Sequence, residues 1–580
     1  MKKTLGLMLG LGLLGRLCAT VTPHGLFTDN AVIQQAQRVP IWGIAREGEK
    51  VTVELAGQKA TATAQHGRWL VYLDNLKPGG PFTLTISGDN TVTANNVLVG
   101  DVWLCSGQSN MEFGLGGAHN AREALPQANH PDIRIFRVAW GTAFDPQDAL
   151  PENTDPTLPV SQPAQLRGQW LVCTPENMLQ ATGRTNYPGF SAVAYFFGCE
   201  IQLATQHPVG LIGSYYGGTV IQAWISLDAL KKEPAFDGYL KADAATRERA
   251  PAIRAKFPEV RKRYDAELAK WRQEAGDAFA QATREWNKAA VAAAAAGKSV
   301  PPRPKPSRPA PAMPPTGDPG RNVPAALFNA MIHPLIPYGI KGVIWYQGES
   351  NANTPHDYAK LFPCLINDWR TQWAEGDFPF LFVQLASYEP PKSSPQAGNW
   401  PAIREAQDKT LLLPRTGMAV AIDLGAGTGI HPPDKADVGH RLALAARRVA
   451  YGEELVFSGP TYDAMRIEGG KIRVTLKHAG RGLKVSAPPW TAAGVKPASP
   501  TELTGFAIAG QNQEWVPASA AIEGDAVVVS SDQIPQPVAV RYGWADNPAC
   551  NLYNQEGLPA APFRTDAWPL SENHDRAASH

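Results

Sequence analysis

A chain of 580 residues exceeds one ordinary hydrophobic core, so about two to four domains are expected. With 44% hydrophobic and 18% charged residues, the composition is that of a soluble globular protein. A formal net charge of +1 and the lack of a long basic run leave no electrostatic footprint for nucleic acid or an anionic membrane surface.

In chain order, residues 1–19 open on Met-Lys-Lys-Thr and run through Leu5 to Leu14, a short apolar stretch ending near Arg16 and Ala19. This reads as a secretory signal peptide, too short for a membrane span, and implies a periplasmic or secreted protein with no membrane insertion. Residues 20–96 alternate short strands (Val51–Leu55, Trp69–Tyr72, Phe82–Ile86) with turn signals such as Lys77-Pro-Gly-Gly80, the pattern of a small β-sandwich.

From residue 97 the pattern changes. Apolar runs at Val102–Cys105, Ile133–Val138, Val209–Ile212, Gly342–Trp345, Phe380–Val383 and Met418–Ile422 alternate with helical segments, among them Ser191–Ala204 and Lys435–Ala450. Such runs predict a parallel sheet covered on both faces, with functional residues after the strands' carboxyl ends. This αβ unit spans 97–230 and 321–450. A helical excursion with Tyr264, Leu268 and Trp271 at helical spacing interrupts it over 231–320, ending in Val291–Ala296 and the stiff Pro301–Pro306 linker. Residues 451–580 are again β-rich, with strands at Lys471–Leu476, Ala526–Val529 and Val538–Tyr542. Five cysteines remain after cleavage (Cys105, Cys173, Cys199, Cys364, Cys550), widely spaced and without Cys-x-x-Cys, which argues against a disulfide scaffold or a zinc ribbon.

Four strand ends carry chemistry. Gly107-Gln-Ser-Asn-Met111 follows the first αβ strand, and Gly107 allows a tight turn that exposes Ser109, the best nucleophile; Ser106 is its local rival. Gly-x-Ser-x-Gly is absent. Gly213-Ser-Tyr-Tyr-Gly-Gly-Thr219 offers Gly217 and Gly218, where the backbone can approach a substrate and turn an N–H outward. In Trp345-Tyr-Gln-Gly-Glu-Ser-Asn351, the Gln347 amide can donate to an oxyanion and the Glu349 carboxylate can accept from an imidazole. Asp423 to Asp434 holds His431, the best base, with His333 and His440 less favourably placed. Together these supply the parts of acyl transfer.

These segments resemble the blocks of the SGNH hydrolases, and specifically the sialate O-acetylesterase-like carbohydrate esterases. Leu26–Asn30 with Val39–Gly43, Lys341–Asn351, Ala545–Pro548, Asn551–Asn554, Gly557-Leu-Pro and Pro562–Asp566 carry the likeness over nearly the whole mature chain. It implies an α/β fold, an SGNH-type doubly wound parallel sheet flanked by β-sandwich-like N- and C-terminal regions. It also implies a serine esterase removing acetyl groups from sugar hydroxyls through an acetyl-enzyme. In that mechanism Ser109 attacks and His431 is the base, with the oxyanion on the Ser109 N–H, the Gly217 N–H and Gln347. No metal or organic cofactor is required. Many relatives carry an acid two or three residues before the histidine, where Thr428 and Gly429 stand here. Glu349 is therefore the expected orienting acid, with Asp423 and Asp434 as runners-up. The substrate is an acetylated glycan, either acetylated sialic acid or a plant polysaccharide such as xylan or xyloglucan. The competing reading is a non-catalytic glycan-binding protein on an esterase scaffold.

Overall fold

The computed structural model describes residues 21–151, 168–180, 187–282, 285, 304–390, 398–425, 427, 429–488 and 501–570. The export segment 1–19, the alanine run 291–296, Pro301–Arg303 and Thr428 lie outside the described residues.

The central element is a 17-residue strand, β1 (Thr91–Gly107). Its first half belongs to the N-terminal strands: it pairs antiparallel with Gly79–Ser87 and parallel with Val32–Gln34. Its second half is buried throughout, as expected of a run such as Val102-Trp-Leu-Cys105 with neighbours on both sides and layers on both faces. The boundary expected between residues 96 and 97 thus falls inside one continuous strand.

After β1 come a one-turn helix α1 (Ser109–Glu112), then β2 (His130–Arg137), β3 (Trp170–Cys173), helix α2 (Ala192–Thr205) and β4 (Val209–Tyr215). A 35-residue helix, α3 (Asp237–Trp271), lies within the interruption; Tyr264, Leu268 and Trp271 are half-buried along it. Then follow β5 (Gly342–Tyr346), α4 (Pro355–Trp373), β6 (Phe380–Gln384), α5 (Asn399–Lys409), β7 (Thr416–Val420) and α6 (Ala436–Val449).

The strands lie in the order β3-β2-β4-β1-β5-β6-β7. All are parallel except the edge strand β3, which runs antiparallel to β2, so the expected parallel sheet is in fact mixed. Both faces are covered. Trp103, in register with Gly342, meets Phe197 of α2; Trp345, an odd number of steps along β5, points the other way and meets Phe362 and Trp369 of α4. β1 has β4 on one side and β5 on the other, and the sheet grows outward from it in both directions, so the carboxyl ends of these three strands lie side by side at the switch point where a crevice is expected.

The C-terminal strands form two four-stranded sheets and a two-stranded one. They grip the αβ unit by buried polar contacts. Arg404 of α5 donates to the carbonyls of Ala545 (2.8 Å) and Asp546 (3.0 Å), and the Tyr553 hydroxyl donates to Asp423 (3.0 Å). All five described cysteines are free thiols. No helix among the described residues is long and apolar enough to cross a membrane.

Candidate active site

The nucleophile turn is built where β1 ends. Gly107 has φ +134°, and a Cβ there would lie 2.2 Å from the Tyr346 carbonyl oxygen, so only glycine fits. The next residue is tied down twice. The Gln108 N–H donates to Tyr346 O (3.0 Å), and its side-chain oxygen accepts from the Ser350 N–H (3.2 Å). The chain then winds into α1, with Met111 and Glu112 N–H bonded back to Gln108 O. Ser109 is the first helical residue, so its N–H has no intrahelical acceptor. Its side chain stays partly exposed while Gln108, Asn110 and Met111 are buried. Ser106 is fully buried in the strand, its hydroxyl without a hydrogen-bond partner.

His431 comes to this turn from the loop before α6. Its Nε2 lies 2.8 Å from Ser109 Oγ, although the two residues are 322 positions apart. On the opposite edge of the ring, Nδ1 lies 3.2 Å from the Tyr187 hydroxyl. The other two histidines considered from sequence are engaged elsewhere: His333 with the Gln147 carbonyl (2.8 Å), His440 with Glu200 (2.7 Å).

The acids fall differently from expectation. Glu349 does not hydrogen-bond to His431; its Oε1 accepts from Asn110 Nδ2, and its Oε2 is buried without a hydrogen-bond partner. The expected hydrogen bond from Glu349 to His431 is not formed; the carboxylate meets the short helix that carries Ser109 instead, at Asn110. Asp423 is taken by a bidentate pair with Arg441 (2.6 and 2.7 Å). Asp434 is buried and accepts from the Asp437 N–H (3.1 Å), capping the first turn of α6.

Two expected oxyanion donors are also turned away. Gln347 is fully buried, and its amide donates to Thr219 O (3.1 Å) and Asn351 Oδ1 (2.8 Å), so it braces two loops rather than facing the crevice. The Gly217 N–H donates to a Glu112 carboxylate oxygen (2.8 Å). Of the three donors expected, the Ser109 N–H is the one on the residue whose hydroxyl meets His431.

Under the Ser109–His431 pair lies a buried polar layer. Lys435 Nζ donates to Asn110 Oδ1 (2.6 Å), and the Asn110 amide donates to Glu349 and to the Ile430 carbonyl (3.1 Å), one residue before His431. The ammonium also sits over the rings of Phe113 (4.8 Å) and Tyr346 (5.2 Å). Burial pushes the Lys435 pKa down to about 7, opposed by the charges of Glu349 and Asp434. Burial likewise raises the Glu349 carboxyl, with its hydrogen bonds and Lys435 pulling it back.

Sequence reasoning missed Tyr187, Asn110 and Lys435. Tyr187 stands in an unpatterned polar stretch. Lys435, one residue before a helix, looks like any solvated first-turn side chain. Asn110 stands in the Gly107–Met111 motif, and its adjacency to Ser109 is the available signal. Beside Gly217, Tyr216 stacks on Trp140 (4.9 Å between centroids), with Arg321 over its ring (5.5 Å). Among the described residues no group of three or more His, Cys, Asp or Glu side chains could hold a metal ion.

A family model described as carbohydrate esterase, sialic acid-specific acetylesterase, matches residues 99–255 and 324–448. The mouse sialate O-acetylesterase is 35% identical over 75% of this chain and 74% of its own length. The human sialate O-acetylesterase is 32% identical over 90% of this chain and 88% of its own. Among solved structures, a carbohydrate acetylesterase from Xanthomonas citri superposes with a TM-score of 0.69 at 34% identity, covering 95% of this chain and all of the other.

Proposed function

Because the chain belongs to the sialate O-acetylesterase-like carbohydrate esterases, and is thus a carbohydrate O-acetylesterase, we propose that it works as a serine enzyme through an acetyl-enzyme on Ser109. The observation that carries this reading is the 2.8 Å approach of His431 Nε2 to Ser109 Oγ at the end of β1. Ser109 Oγ attacks the acetyl carbonyl while Nε2 takes its proton. The oxyanion of the tetrahedral intermediate rests on the Ser109 N–H. The Gly217 N–H joins it by exchanging its Glu112 partner for the oxyanion. The intermediate collapses by breaking the bond to the sugar oxygen, which leaves as an alcohol with the proton from His431. Water, deprotonated by the same imidazole, then releases acetate and restores Ser109. None of these steps uses a metal or an organic cofactor.

The strand order around β1 and the site's place in the crevice support an SGNH-type doubly wound arrangement, with the N- and C-terminal sheets as β-sandwich-like flanks. The substrate is an acetylated glycan, either sialic acid or plant polysaccharide, and the half-buried Trp140–Tyr216 pair beside Gly217 offers an aromatic face for a sugar ring. The leader at residues 1–19 supports action in the periplasm or outside the cell. No observation favours a non-catalytic glycan-binding protein. Acetate release from a panel of acetylated sialic acids, xylans and xyloglucans is the test. A protein that releases acetate from none of them, under conditions where it is folded, refutes the reading.

A further inference from the structure

We propose that the Tyr187 hydroxyl is the acceptor that holds the ring proton of His431 on Nδ1, a positioning role that rests on the serine-esterase reading. To take a proton from Ser109, Nε2 must present its lone pair, and the neutral ring must then carry its proton on Nδ1. That N–H needs an acceptor. The Tyr187 oxygen lies 3.2 Å from it, and the two rings meet edge-on with centroids 5.3 Å apart.

The tyrosine is held to this task by the nucleophile segment itself. Its ring stacks on Phe113, just past α1, with centroids 4.2 Å apart and planes 28° from parallel. The backbone that follows is pinned to the same segment: the Gly116 N–H donates to Pro188 O (2.9 Å) and the Leu115 N–H to Phe190 O (2.9 Å). Pro188 also confines Tyr187 to extended backbone. One side chain therefore measures the histidine against the turn that carries the serine. The three carboxylates that sequence reasoning nominated for this task are engaged elsewhere: Asp423 with Arg441, Glu349 with Asn110, and Asp434 with the start of α6. A phenol oxygen accepts more weakly than a carboxylate, so Tyr187 acts mainly on tautomer and ring angle and less on the charge of the imidazolium.

The test compares wild type with Tyr187→Phe, which keeps the stack on Phe113 and removes only the hydroxyl. On a soluble acetyl ester, kcat should fall about tenfold with KM unchanged, the scale of one lost hydrogen bond. In protein labelled with ¹⁵N at histidine, the His431 signals, identified by their loss in His431→Asn, should move from the Nδ1–H pattern toward the Nε2–H pattern. An unmoved His431 signature overturns the proposal whatever happens to kcat, and a moved signature with wild-type kcat overturns it too. Activity that survives Ser109→Ala refutes the serine-esterase reading instead, and the ¹⁵N signature then still reports whether Tyr187 sets the tautomer.

Discussion

Ser109 and Asn110 are neighbours on the same helical turn and serve two different layers. Ser109 is partly exposed and reaches one histidine; Asn110 is buried and joins Glu349, Lys435 and the Ile430 carbonyl. The upper layer is half-buried, which leaves Ser109 and His431 within reach of a substrate. The lower layer is closed to water, where charges and amides are costly unless they are partnered. The contrast teaches that adjacent polar residues at one strand end can serve separate layers, and that a carboxylate near a histidine in the sequence blocks need not touch it.

The sharpest way to break this comparison is Ser109→Ala. It should remove turnover by about a millionfold, the scale on which a lost serine nucleophile acts, and leave the melting temperature near that of wild type. Acetate release and a thermal melt on the same preparation check both halves. A large loss of stability would make the upper layer structural as well.

Glu349→Gln comes next. The glutamine oxygen can still accept from Asn110, so turnover should fall only about tenfold, against the roughly ten-thousandfold loss when an orienting acid in contact with the base is neutralised. Steady-state kcat on an acetyl ester decides; a loss beyond about a thousandfold would return the carboxylate to the histidine.

Lys435→Met probes the lower layer through pH. The folded lysine titrates at about 7 against an ordinary 10.5, so between these values the unfolded chain holds a proton that the folded chain does not. Unfolding free energy of the wild type therefore rises with pH across that window, and the rise is absent in the variant. Melting temperatures of the two proteins at pH 6, 8 and 10 should show the wild type gaining on Lys435→Met from about pH 7 upward. A constant difference would mean the ammonium stays charged throughout.

The smallest effect belongs to Asp434→Ala. Losing the cap on α6 should cost about 1 kcal/mol of stability, read from denaturant unfolding, with kcat within about twofold of wild type. A collapse of turnover would place Asp434 in the upper layer.

Much of the scaffold was legible because it is periodic. The apolar runs from Val102 to Ile422 mark β1, β2 and β4–β7, and the helices around Ser191–Ala204 and Lys435–Ala450 fall within about two residues of α2 and α6. The pairing of Ser109 with His431 follows from two strand-end motifs, after β1 and β7, since parallel strands all deliver their carboxyl ends to one edge of the sheet. What escaped was direction. Whether Gln347 faces outward or braces Thr219 depends on its side-chain rotamer, which no spacing encodes. Residue type points to a charged acid as the partner of His431, whereas a phenol stands 3.2 Å from Nδ1, delivered by a segment whose shape is set by backbone bonds to Gly116 and Leu115.

One consequence follows from the length of β1. Its seventeen residues would span at most about 55 Å if fully extended, and Asn96, at φ +55° where the pairing with Gly79–Ser87 shifts register, bends this tie between the N-terminal sheet and the Ser109 turn near its middle. A cut at residue 97 would sever the tie in mid-span and strip Leu98–Gly100 of its pairing with Val32–Gln34. The N-terminal strands are thus no detachable cassette: a pull on them is transmitted along one unbroken run of backbone to the turn that presents Ser109.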